Sequence, residues 1–119
     1  CIILPQGTQM RTSEICSLIG ATCVQDRFED RDITGGYTSD LLSDAMANAV
    51  ENGILITIQA HKNTVAVGTL KDLAAVIICN NRPIPDDMIH AAREEGIALF
   101  VTPENQFTVS GKLYPVLGE

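Results

Sequence analysis

Three short runs, ILITIQ, LAAVIIC and IALFVT, begin at residues 54, 73 and 97 and constrain this chain more than any other feature. Each is nearly continuously apolar and rich in β-branched residues, whereas a strand with one wet face would alternate. Such runs read as strands covered on both faces. Between and after them lie NTVAVGTLKD, PDDMIHAAREEG and ENQFTVSGKLYPVLG, each with apolar residues at helical spacing. Pro85 with Asp86 and Asp87 makes a good helix opening, and Gly96 a good closing. Strand and helix therefore alternate three times. That is the pattern of an α/β domain with a mostly parallel sheet, right-handed crossovers and helices packed on its faces.

The first half of the chain carries weaker signals. TSEICSLIG spaces Ile15, Leu18 and Ile19 as a helix does, with Thr12 or Ser13 to cap it and Gly20 to stop it. ATCVQ reads as a short strand and DRFEDRDI as a solvated turn. SDLLSDAMANAVENG reads as a helix capped by Ser39, with Asp40 in its first turn and Asn52-Gly53 as its stop. At 119 residues the chain is one folding unit. The domain is expected over residues 10–119. Residues 1–9 (CIILPQGTQ) form an N-terminal extension or a remnant foreign to the domain, with an apolar run too short for a secretory leader.

Apolar residues make up 45% of the chain and charged residues 19%. This balance suits a globular domain, and no apolar run approaches the length of a membrane span. Fifteen acidic against eight basic residues give a formal charge of −7, a poor match to a phosphate backbone. The expectation is a soluble, cytoplasmic protein with neither nucleic acid nor membrane among its partners. The four cysteines (Cys1, Cys16, Cys23, Cys79) include no C-x-x-C pair. They read as reduced core thiols.

Ligands of open α/β sheets gather beyond the carboxyl ends of the strands. The polar residues fall there: Gln59, His61 and Asn63 after the first run, Asn80, Asn81 and Arg82 after the second, and Thr102, Glu104 and Asn105 after the third. The pair Gly35-Gly36, between Thr34 and Tyr37, admits two readings. It is a tight turn into a capped helix, or an anion cradle where glycine backbone meets the unpaired N–H groups of a helix mouth. His61 likewise reads as a helix cap or as a ligand contact. Catalytic patterns are missing. VSGKLY lacks the upstream glycine and following hydroxyl of a P-loop, neither G-x-G-x-x-G nor G-x-S-x-G occurs, and His61 and His90 stand too far apart to suggest a metal centre.

DITGG, followed by YTSDLLSDAMANA, ILITIQAHKNTVAVGTLKDLAAVIIC, AAREEGIALFVT and GKLY, resembles the DRTGG domain, in particular a small stand-alone bacterial form, from about Met10 to Gly118. The second residue of the name-giving motif is Ile33 rather than arginine, so no role of that arginine transfers. The resemblance implies a fold similar to the amino-terminal domain of HPr kinase/phosphorylase. It implies a non-catalytic regulatory module, because the kinase chemistry of that enzyme belongs to a separate P-loop domain. Related domains occur between the CBS domains of some inorganic pyrophosphatases, where the regulatory region binds adenine nucleotides and helps pair subunits. A homodimer with an adenine nucleotide or other phosphorylated small molecule as ligand, and no required cofactor, is thus implied. Thr34, Gly35, Gly36, Tyr37, Ser39, Gln59, His61 and Asn63 then line one crevice, with glycine N–H groups on a phosphate and His61 supplying charge. Stand-alone forms also accompany genes for iron hydrogenase and other redox complexes. This implies an alternative, a protein-interaction module for such a complex, with an apolar patch at CIILP or on the helix bearing Leu41, Leu42 and Met46. A small enzyme acting on a phosphorylated or acyl substrate is a third reading.

Overall fold

A computed structural model of the protein describes residues 10–117; the expected extension at residues 1–9 lies outside the described residues. A 3-10 turn (Thr12–Glu14) leads into α1 (Ile15–Ile19), β1 (Thr22–Gln25), β2 (Gly36–Thr38), α2 (Leu42–Asn48), β3 (Ile54–Thr57), α3 (Lys62–Lys71), β4 (Ala75–Ile78), α4 (Asp86–Glu95), β5 (Ala98–Val101) and α5 (Gln106–Leu117). One sheet runs in the order β1-β5-β4-β3-β2. β2 to β5 are parallel, and β1 joins β5 antiparallel. This is the expected mostly parallel α/β domain.

The strand order explains the layering. From β2 to β5 the chain always steps the same way, so right-handed crossovers put α2, α3 and α4 on one face. Their core holds Ala45, Val65, Met88 and Ala92 against Leu55, Val76, Ile78 and Leu99. The opposite face is covered by α1 and α5, through Ile15, Ile19, Val109 and Leu113 against Ile54, Ile56, Ile77 and Phe100. Every residue of β3 and β4 is buried, which is why their sequences do not alternate. α1 and α4 stop where Gly20 and Gly96 take a φ of 70°, a conformation that costs glycine nothing.

Four local expectations are corrected. The glycine pair does not turn into a helix: Gly36 begins the edge strand β2, too short to show a period in sequence. Ser39 does not cap α2, which starts later at Leu42; its hydroxyl accepts the Leu41 N–H at 3.2 Å in a turn between strand and helix. α2 also ends early, at Asn48, because Ala49 is extended and the chain must turn back into β3 through Asn52 at φ 62°. Finally, the opening 3-10 turn is capped by Arg11 rather than Thr12 or Ser13, with the Arg11 N–H donating to Glu14 at 2.7 Å.

DRFEDRDI is a pinned ledge rather than a solvated turn. Arg11 pairs with Asp30 at 3.1 Å and Asp32 at 3.0 Å, and Arg31 donates to Asn52 at 2.9 Å and Asp72 at 3.1 Å. Ile33, where the motif carries arginine, is buried in the α1/α5 core at 4% exposure. The Asp30 carboxylate is held below its ordinary range, first by the Ser13 N–H, then by the Ser13 hydroxyl and the Arg11 guanidinium. A depressed folded-state pKa contributes stability above the unfolded value, and that stability is lost as pH falls through the folded value. Asp30→Asn is therefore expected to lower the urea midpoint near neutrality, and to converge with the parent only as acid takes the pH below the ordinary carboxylate range. Urea titrations across that range check it.

Candidate functional site

The carboxyl ends of β2 to β5 open onto one rim, where α3, α4 and α5 begin. Asp40, just beyond β2, is its hub. One carboxylate oxygen accepts from the Thr57 hydroxyl at 3.1 Å, the Ile58 N–H at 3.0 Å and the Gln106 amide at 2.8 Å. Its carbonyl accepts from the Gln59 side chain at 2.9 Å. Asp40 thus ties β2, β3 and α5 together while satisfying the hydroxyl of the fully buried Thr57. Gln59 is in part a strut for this loop.

His61 is the N-cap of α3. Its Nδ1 accepts the Asn63 N–H at 3.0 Å, so Nδ1 carries no proton and the exposed ring offers Nε2–H outward. With Nδ1 occupied by the cap, any anion contact falls to Nε2–H. His61→Ala is expected to cost about 1 kcal/mol through the lost cap, and His61→Asn to restore most of it, both read from denaturant midpoints.

Beside α3, the turn after β4 is fastened to the turn after β5. Asn80 and Asn81 take φ values of 61° and 51°, which asparagine tolerates, and donate to the Glu104 and Thr102 carbonyls at 2.9 and 2.8 Å. Arg82 follows, exposed. Beneath lies Cys79, whose thiol pKa is pushed up to about 11 by burial first, then by Asp40 and Glu104. In native protein at mildly alkaline pH, Cys79 is expected to resist iodoacetamide and to react only on unfolding, as peptide mass mapping would show.

The glycine pair lies elsewhere. Gly36 pairs with Ile54, the first residue of β3, whereas His61 follows the far end of that strand. The two stand at opposite ends of the sheet and share no crevice. Around the pair the backbone is committed to β3 and its lead-in: Thr34 N–H donates to Asn52 at 3.1 Å, and the Gly35 carbonyl accepts Ile54 N–H at 3.0 Å. Tyr37 turns to the α2/α3 core, its hydroxyl donating to Asp44 at 2.7 Å and holding that carboxylate below its ordinary range. Of the expected site residues, Ser39, Gln59, His61 and Asn63 gather at the carboxyl rim, and Thr34, Gly35, Gly36 and Tyr37 do not. Asp40, Thr57 and Gln106 were missed. Asp40 read as a helix-opening charge, and Gln106 lies 66 residues away from it. The parallel strands never reverse their order, so the rim is a ledge without a switch-point crevice.

Among the described residues, no group of three or more His, Cys, Asp or Glu could hold a metal ion, and no helix is long and apolar enough to cross a membrane. No protein-family model matches the sequence, and no curated protein matches it. A solved structure does match: the CBS and DRTGG domains of the regulatory region of Clostridium perfringens pyrophosphatase, complexed with activator, diadenosine tetraphosphate. The TM-score is 0.74 at 17% identity, over 89% of this chain and 46% of that one. This chain thus spans about half of the matched structure, and the likeness fixes its architecture as DRTGG-like.

Proposed function

We propose that this chain is a non-catalytic regulatory domain that senses an adenine nucleotide or other phosphorylated small molecule at the carboxyl rim and acts as a homodimer. The likeness in fold to a regulatory region crystallised with diadenosine tetraphosphate carries this reading. The rim supplies suitable chemistry: His61, Lys62 and Asn63 at the mouth of α3 and Arg82 on the neighbouring turn are exposed donors for phosphate oxygens. The nearby hydroxyls are engaged: Ser39 with Leu41, Thr57 with Asp40, and Thr64 with the Gln59 carbonyl. That supports binding over turnover. Such a ligand regulates through unequal affinity for two states. Calorimetry of the folded chain with AMP, ATP and diadenosine tetraphosphate tests the reading. Heat with at least one, diminished in Lys62→Ala/Arg82→Ala, is expected; no heat with any would overturn it.

One observation favours a second reading, a protein-interaction module for a redox complex of the iron hydrogenase type. Phe107, Tyr114 and Leu41 are 87%, 69% and 64% exposed. Phe107 and Tyr114 lie on α5, whereas Leu42 and Met46 of α2 pack against the core; the CIILP end lies outside the described residues. Binding to a purified iron hydrogenase that is lost in Phe107→Glu and unaffected by Lys62→Ala/Arg82→Ala would support it.

A further inference from the structure

The edge of the sheet at β2 carries no strand partner beyond β3 among the described residues. The Ile54 N–H donates to the Gly35 carbonyl, and the Ser39 N–H donates to the Ile56 carbonyl. Backbone direction alternates along a strand, so the N–H and C=O of Gly36 and of Thr38 face away from β3. Natural edges are usually guarded by brevity, charge, proline or a bulge. β2 is brief, but Gly36, Tyr37 and Thr38 carry no charge, proline or bulge, and Gly36 and Thr38 are exposed.

The edge is also self-complementary. In an antiparallel pair of β2 strands centred on Tyr37, Gly36 of one copy faces Thr38 of the other, and each such pair exchanges two backbone hydrogen bonds. On the α5 face of this edge lies a groove of about 90 Å³, lined by Gly36, Thr38, Ile56, Leu113, Tyr114 and Leu117 among others. Thr38 and Ser110 share a hydrogen bond at 2.7 Å, fixing α5 beside the edge. Phe107, Gly111 and Tyr114 follow one another at i, i+4 and i+7 along α5, a single stripe. Its two aromatic residues are 87% and 69% exposed, and a side chain added at Gly111 would meet nothing within 4 Å.

We propose that a second copy of this chain occupies this face, its β2 adding antiparallel to the first to form a continuous ten-stranded sheet, with the two α5 stripes packed across the seam. The area supports a stable pair. Aromatic side chains bury roughly 150–250 Å² each, so Phe107 and Tyr114 from both copies contribute on the order of 600 Å² or more. That is about half of the roughly 1,200 Å² at which specific interfaces begin, and the joined strands and groove residues supply the remainder. Two copies of charge −7 repel, so salt should tighten the pair. The proposal rests on the homodimer named above and assigns its surface.

Sedimentation equilibrium of the full chain at two ionic strengths tests it. A dimer that tightens with salt is expected, with its dissociation constant raised at least about tenfold by Phe107→Glu/Tyr114→Glu and by Thr38→Pro. The Thr38 N–H lies on the free edge, so proline removes no bond to β3. Circular dichroism checks folding, and if the proline variant misfolds the aromatic pair still decides. Leu70→Glu, on α3 across the sheet, should leave association unchanged. A monomer at all concentrations, or a dimer indifferent to these variants, would overturn the proposal. So would association that appears only after residues 1–9 are removed, which would put that segment on the edge. Nucleotide heats on the same samples separate the readings: a monomer that still binds nucleotide sinks the interface and leaves sensing intact.

Discussion

Gly53→Ala is expected to cost about 3 kcal/mol and to lower the thermal midpoint by roughly 10 °C, the largest loss from adding a single methyl group at any described glycine. An added Cβ would stand 2.8 Å from the Val50 carbonyl, 3.0 Å from Val50 Cγ2 and 3.2 Å from the Gly35 carbonyl. Those carbonyls cannot swing aside, because they accept the Gly53 and Ile54 N–H groups, both at 3.0 Å. The Gly53 carbonyl in turn accepts the Ala74 N–H at 2.9 Å. The lead-ins to β2, β3 and β4 therefore meet at one residue without a side chain. A midpoint within about 2 °C of the parent by calorimetric scanning would show that this junction yields more readily than its hydrogen bonds suggest.

Asp40→Ala is expected to cost about 2 kcal/mol, because it leaves the buried Thr57 hydroxyl and the Ile58 N–H without their acceptor. Asp40→Asn keeps a carbonyl oxygen in place and should recover most of the loss. Urea titration of the three proteins checks both statements. A penalty for alanine near zero would mean that water replaces Asp40 freely and that the rim is not held by this residue.

The central architecture was legible because burial on both faces leaves a mark that polar residues cannot imitate. β3, β4 and β5 showed themselves as nearly unbroken apolar runs, and Gly20, Pro85 and Gly96 punctuated their helices where the chain turns. β2 left no such mark: three residues, two of them exposed, carry neither an apolar run nor a readable alternation. Missing it moved the glycine pair from the amino end of the sheet to its carboxyl rim and joined it to His61 in a pocket that the register forbids. Asp40 escaped notice for a related reason. Its partners, Thr57, Ile58 and Gln106, come from two distant segments, and only the folded domain brings them within 3.1 Å. His61 was read two ways from sequence, and the cap is what the structure displays.

Amide NMR of the full chain titrated with ATP and with diadenosine tetraphosphate locates any bound nucleotide directly. A ligand seated at the carboxyl rim shifts the amides of Gln59 to Asn63 and Asn80 to Arg82 progressively, leaving Thr34 to Gly36 in place. Shifts centred on Thr34, Gly35 and Gly36, with the His61 stretch unmoved, would put the ligand at the other end of the sheet and contradict the account.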